Sequence, residues 1–275
     1  MARIEITEAD DPRIADYVGL RDADLRADLE GRERIFIVEG VNALHRLLAA
    51  PLRTRSVLVT PKQHARLTGV LDGLAAPVYV ASRDVLAGIA GFDLHRGVVA
   101  SADRPDDPGL GAILGRAATV VALEALNDQE NLGAIARSAR ALGADALVLD
   151  PTCADPYYRR VVRVSMGEVL HLPVTRVDDW ATGLQRMTAA GFCLAALTPA
   201  GETSLFDWRP PERVALLLGA EGPGLSAAAL AVADVRVRIP IRADVDSLNV
   251  GHAAAVALAV VSAARAGSPG RTAGG

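Results

Sequence analysis

Between residues 120 and 241, short Val- and Leu-rich runs keep returning at intervals that a helix can fill: VVALEAL at 120–126, ALVLD at 146–150, CLAALTP at 193–199, VALLLG at 214–219 and VRVRIPI at 235–241. Runs this short and this apolar read as strands buried on both faces. The helical stretches between them are the crossovers that a parallel sheet requires. The carboxyl-terminal part is therefore expected to be α/β, a mainly parallel sheet with helices on both faces.

The first hundred residues alternate in the same way on a smaller scale, with apolar runs at Ser56 to Thr60, Pro77 to Ala81 and Gly97 to Ser101, and predict a small α/β domain. Between the two parts, ADRPDDPGLGAILG gathers Pro, Gly and Asp as linkers do. The expected layout is a domain over 1–102, a linker over 103–116, a second domain over 117–267, and a tail over 268–275 with nothing to bury.

A chain of 275 residues with 51% hydrophobic content has enough apolar side chain for two cores. It contains no apolar run of bilayer-spanning length, and its start, MARIEITEADDPRIADY, lacks an export pattern, so a cytoplasmic location and no membrane partner are expected. Cys153 and Cys193 have neither metal nor disulfide spacing and are expected in the core. The five histidines, 45, 64, 95, 171 and 252, are scattered, and no metal is implied. A net charge of −4 argues against non-specific coating of nucleic acid, although a local basic face is compatible with it. Aromatic content of 4% argues against a surface that stacks successive bases.

Three segments carry polar residues where chemistry could sit. In NDQENLGAIARSARALGADALVLD, Leu132, Ile135, Ala136, Ala139 and Leu142 form a helical stripe that leaves Arg137 and Arg140 off its centre. Asn131 stands near the helix start as a possible cap, and Gly133 allows close approach of a ligand or another backbone. Taken alone, the segment reads better as a plain strand-to-helix connection with solvated arginines. In VALLLGAEGPGLS, Glu221 lies among Gly219, Gly222 and Gly224 at the carboxyl end of a strand, where open α/β sheets bind their ligands. An ordinary tight turn with an exposed Glu is the alternative. A dinucleotide fingerprint fits less well, because that loop belongs after the first strand of its fold. In VRVRIPIRADVDSLNVGHAAAVALAVV, a loop enters an almost wholly apolar helix that must bury most of its faces, in the core or against a second subunit. Helix capping is a sufficient role for Ser247 or Asn249 taken alone.

Together, Asn131-x-Gly133-x-x-x-Arg137, G-x-E-G-x-G-L from Gly219 to Leu225, and IPI followed by SLNV from Ser247 to Val250 resemble the SPOUT-class RNA methyltransferases, TrmH/SpoU branch. RVSMGEVLHLPV, with Ser165, Gly167 and Pro173, is similar to a further segment of that family, so the resemblance spans roughly 117–265. IFIVEGVNALHRLL and LHRGVVA are similar to its ribosomal-protein-like substrate-binding domain. The resemblance implies a trefoil knot at the carboxyl end, a homodimer, and S-adenosylmethionine as cofactor, held against Thr198, Gly219, Glu221, Ile239, Ile241, Ser247, Leu248 and Asn249. The position after Val250 departs from the family, which often continues with a small hydroxyl residue where this chain has Gly251-His252.

The implied activity is methylation of a ribose 2′-hydroxyl in RNA, ribosomal RNA ahead of transfer RNA, with Arg137, Asn131, Glu221, Ser247 and Asn249 as the catalytic set. Because guanidinium stays protonated in proteins, Arg137 is expected to anchor a phosphate and position the hydroxyl, with Glu221 as the alternative proton acceptor. Arg159, Arg160 and Arg163 share a helix side and are expected at RNA phosphates, although a solvated face paired with acids fits them almost as well. Arg34 and Arg96, with Arg32, Glu39 and His95 nearby, are further RNA candidates through the resemblance. The competing readings are a non-enzymatic RNA-binding or ribosome-assembly factor on the same fold, and a nicotinamide-dependent oxidoreductase, which the late glycine loop disfavours.

Overall fold

The computed structural model describes residues 3–91, 94 and 96–266; His95 and the expected tail at 268–275 lie outside them. The chain divides into two compact units, one of residues up to Asp106 together with Tyr157–Leu170, the other of Asp107–Pro156 and the residues from His171 onward.

In the first unit, β1 (Ile4–Ile6), α1 (Ala23–Glu33), β2 (Ile35–Glu39), α2 (Val41–Ala49), β3 (Thr54–Val59), α3 (Pro61–Leu71), β4 (Val78–Ala81), α4 (Arg83–Ala90) and β5 (Val98–Asp103) follow in order. The five strands are arranged β1-β4-β3-β5-β2. β5 runs antiparallel to both β3 and β2, and the other pairs are parallel. Turn chemistry marks the helix starts: Thr60 accepts the Gln63 N–H ahead of Pro61, and Ser82 accepts that of Val85. All five residues of β2 are buried, Glu39 included.

The second unit contains α5 (Leu110–Leu114), which occupies part of the Pro- and Gly-rich stretch, then β6 (Thr119–Leu123), α6 (Gln129–Ala141) and β7 (Ala146–Leu149). The next helix, α7 (Arg159–Val164), is counted with the first unit. The second unit resumes with β8 (Val174–Arg176), α8 (Trp180–Ala189), β9 (Cys193–Leu197), β10 (Thr203–Ser204), β11 (Val214–Leu218), α9 (Ala227–Val232), β12 (Val235–Arg238) and α10 (Val250–Ala266). Its seven strands lie in the order β10-β12-β9-β11-β6-β7-β8, every pair parallel. The expected α/β class is therefore observed, and β6, β7, β9, β11 and β12 coincide with the five apolar runs. The edge strands β8 and β10, three and two residues long, carry too few side chains to leave a periodic signal. Arg176 of β8 instead gathers the carbonyls of Asp150, Pro151, Cys153 and Ala154 onto its guanidinium. The apolar α10 buries Gly251, Ala254, Ala257, Leu258 and Val261 and packs against α6 and β11.

Cys153 is buried and Cys193 half-buried, both as free thiols. Burial pushes the Cys153 thiol up to about 12, so it is a packing group rather than a nucleophile.

Although α7 lies within 117–267 of the sequence, its side chains complete the first unit. Arg159 donates to Glu39 Oε2 at 2.7 Å and to the Leu20 carbonyl at 3.2 Å, and Arg163 lies 3.6 Å from the same carboxylate. Arg160, between them, is exposed. A little further on, Gly167 (φ +83°) leaves no room for a side chain, since an added Cβ would stand 2.7 Å from Arg46 Cβ and 3.1 Å from Ala43 Cα. Glu39 is 5% exposed, and burying its carboxylate is costly without hydrogen-bond donors or a cation, both of which Arg159 supplies. Replacing Glu39 by Ala removes the buried carboxylate that Arg159 and Arg163 face, with an expected loss of about 3 kcal/mol. Glu39→Gln, which keeps an acceptor, should lose about half as much. Thermal melts of both variants measure the difference.

Candidate active site

Parallel strands deliver their carboxyl ends to one side of a sheet, and in the second unit three neighbouring strands end in loops that enclose a cavity of about 550 Å3. β9 supplies Leu197 to Pro199, β11 the glycine-rich turn from Gly219, and β12 the long segment from Arg238 to Asn249. The first turn of α10 closes the space with Val250 and Ala253. All eight residues assigned to cofactor contact in the sequence reading, Thr198, Gly219, Glu221, Ile239, Ile241, Ser247, Leu248 and Asn249, line this one cavity.

The turn after β11 is pinched shut at its base. Gly224 N–H donates to the Ala220 carbonyl at 2.9 Å, and a Cβ on Gly219 would fall 2.1 Å from the Gly224 carbonyl carbon. No side chain can occupy that position without moving backbone. Gly222 and Gly224 have φ of +84° and +71°, which brings the turn back on itself and leaves Glu221 at the tip.

Asn249 links the three segments. Its Oδ1 accepts the Gly251 and His252 N–H groups at 2.9 and 3.2 Å, which makes it the cap of α10. Its Nδ2 donates to Asn131 Oδ1 at 2.8 Å and to Glu221 Oε1 at 2.9 Å. With two N–H groups at one end and two acceptors at the other, the amide fits in one orientation only. Glu221 keeps its second carboxylate oxygen without a partner among the described residues. Ser247 lines the cavity, exposed, and does not cap the helix.

Asn131 differs from its expected role as a cap. Asp128 caps α6 by accepting the Asn131 N–H at 2.8 Å, because Asp128 stands just outside the helix in extended backbone whereas Asn131 is already in its first turn. The Asn131 side chain, 8% exposed, is thereby left for Asn249. Gly133 is buried. Arg137 is exposed, forms no hydrogen bond or ion pair among the described residues, and does not line the cavity. Six residues of α-helix place it roughly 9 Å along α6 from Asn131 and about 120° around it.

In the first unit, Arg34 pairs with Asp106 at 2.8 Å, both exposed. Arg32 lies beside Asp28 and Glu33. Arg96 is exposed, with its side chain laid over Gly40 and its carbonyl accepting from Gln63. Next to the site is a residue that sequence reasoning passed over. Glu124, directly after β6, is 8% exposed and accepts the Ser226 N–H at 2.9 Å. Its one signal in the sequence is a charge within VVALEAL.

A model of the SpoU rRNA methylase family matches residues 118–259, and a model described as RNA 2′-O ribose methyltransferase substrate binding matches residues 37–108. A protein of Mycobacterium tuberculosis named as an uncharacterized tRNA/rRNA methyltransferase is 46% identical over 257 residues, 92% of this chain and 89% of that one. The 23S rRNA (guanosine(2553)-2′-O)-methyltransferase RlmP of Bacillus subtilis is 27% identical over 221 residues, 80% of this chain and 86% of that one. Among solved structures, an AdoMet-bound rRNA methyltransferase of Sinorhizobium meliloti superposes with a TM-score of 0.80 at 26% identity, covering 94% of this chain and 97% of the other.

Proposed function

We propose, from the premise that this chain belongs to the SpoU rRNA methylase family and is an RNA methyltransferase, that it transfers the methyl group of S-adenosylmethionine to a ribose 2′-hydroxyl, with ribosomal RNA the substrate ahead of transfer RNA. The observation that carries this reading is the pair of hydrogen bonds that Asn249, on the cavity wall, donates to Glu221 on the same wall and to Asn131, with an unpartnered arginine further along the helix that bears Asn131.

The residues present suit the cofactor. The cavity lies within the size range of small-molecule sites, and Ile239, Ile241 and Leu248 offer apolar surface beside backbone polar groups of the pinched turn. When bound, S-adenosylmethionine supplies an electrophilic methyl carbon on a sulfonium. Glu221 and Asn249 fix the shape of the wall. Arg137, as a hydrogen-bond donor, orients the acceptor nucleotide through its phosphate and hydroxyl, and the unpartnered Glu221 oxygen is available to take the hydroxyl proton. The match to a 2′-O ribose substrate-binding model and the likeness to RlmP support ribose as the acceptor and ribosomal RNA as the substrate.

The same reading includes a trefoil knot at the carboxyl end, a homodimer and a cytoplasmic location. Convergence of the loops after β9, β11 and β12 on one cavity supports the knot. Two observations support the dimer: Arg137 does not line its own chain's cavity, and Val245 and Leu248 on the cavity rim are 45% and 40% exposed. Among the described residues, no helix is long and apolar enough to cross a membrane, and no cluster of residues could hold a metal ion. Calorimetric titration with S-adenosylmethionine, followed by mapping of 2′-O-methyl groups on ribosomal and transfer RNA treated with the protein, tests the assignment. Binding without any methyl transfer would favour an assembly factor instead, and preference for NAD would remove the reading altogether.

A further inference from the structure

We propose that Glu124 is a positioning residue that sets the mouth of the cavity by holding both ends of the 219–225 loop against β6, an inference that rests on the cofactor reading given above. The loop leaves β11 at Leu218 and enters α9 through Ser226. Glu124 grips both points. Its backbone N–H donates to the Leu218 carbonyl at 2.9 Å, and its carboxylate Oε2 accepts the Ser226 N–H at 2.9 Å.

Three further observations fit an anchor rather than an incidental contact. A carboxylate only 8% exposed is costly to bury without a donor, and the backbone N–H of Ser226 provides one. The next residue, Ala125, has φ of +52°, a left-handed conformation that residues with a side chain adopt at a cost, so β6 ends in a strained turn immediately after Glu124. Ser226 is itself fixed, its Oγ accepting the Ala229 N–H at 3.1 Å to cap α9. The loop is thus clamped at its base by Glu124 and pinched between Gly219 and Gly224 just above. Glu221 is carried at its tip toward Asn249. Releasing Ser226 frees Leu225 and Gly224, and with them the backbone against which the cofactor would lie. Glu124 touches neither cofactor nor RNA in this arrangement; it preorganises the turn that does.

The test compares Glu124→Leu, which fills a similar volume without an acceptor, with Glu124→Gln, which keeps a carbonyl oxygen for Ser226. Both are studied at a temperature where circular dichroism shows them folded, with S-adenosylmethionine alone as the titrant. Loss of a buried charge-assisted hydrogen bond predicts a cofactor Kd about 10- to 100-fold higher for the Leu variant, and within roughly threefold of the parent for the Gln variant. The KM for RNA should be unchanged in both, which a general loss of packing would not give. A Leu variant that binds the cofactor like the parent overturns the proposal, as does a Gln variant as impaired as the Leu variant. If the Leu variant does not fold, amide exchange in the unmodified protein decides: Ser226 should be protected like the β11 amides while Gly222 exchanges quickly, and an unprotected Ser226 overturns the proposal. Failure of the unmodified protein to bind S-adenosylmethionine refutes the functional reading instead and leaves the exchange result to report on the anchor.

Discussion

Arg137→Ala should lower methyl transfer by about 10²–10⁴-fold while leaving the Kd for S-adenosylmethionine within about twofold. The separation of the two effects follows from where the side chain lies. Arg137 is exposed, has no partner among the described residues, and is absent from the cavity wall, so its removal costs neither folding contacts nor cofactor contacts. What is lost is a planar donor able to hold a phosphate or hydroxyl in register. Lys at the same position should recover little, because a point charge does not reproduce the guanidinium fork. Single-turnover rates with labelled cofactor, alongside calorimetry on the same preparations, give both numbers. Unimpaired turnover would remove Arg137 from the reaction, and a parallel loss of cofactor binding would move it into the cavity.

Gly219→Ala should raise the cofactor Kd by about 100-fold or more, with a stability loss of about 1–3 kcal/mol. An added methyl would stand 2.1–2.3 Å from three backbone atoms of Gly224 and Leu225, none of which can rotate aside as a side chain would. The turn must therefore open, and both the Gly224-to-Ala220 hydrogen bond and the seat of Glu221 go with it. Gly222→Ala is the control. Space there is open, so the penalty is confined to its φ of +84° and the effect on binding should be much smaller. Calorimetry on both variants checks the ranking, and equal Kd values would show that the pinch does not shape the cavity.

Much of this site is legible in the sequence, and the reasons are local. The strands β6, β7, β9, β11 and β12 announce themselves because a central parallel strand is apolar on both faces, and the glycines at 219, 222 and 224 mark a turn because few other residues fit there. What escapes is chemistry between distant partners. Asn131 looks like a cap because it stands near a helix start, yet Asp128, three residues earlier, takes that role and leaves Asn131 to meet a side chain 118 residues away. Glu124 and Arg176 act on backbone groups brought close only by the finished sheet, so no periodicity betrays them. Arg159 and Arg163 read as surface cations in sequence, because the buried anion they face, Glu39, lies 120 residues before Arg159.

That last arrangement bears on the order of events during synthesis. The amino-terminal unit has all its strands once residue 103 is made, yet the cation that neutralises its buried carboxylate arrives with Arg159, and the unit ends at Leu170. At ordinary translation speeds the wait for Arg159 is roughly 3–11 s, in which the nascent unit must hold an unbalanced acid or leave β2 undocked. Its closure is thus timed to the emergence of its neighbour's first strands, and the first 106 residues made alone should reach the ribosome exit as an unfinished fold.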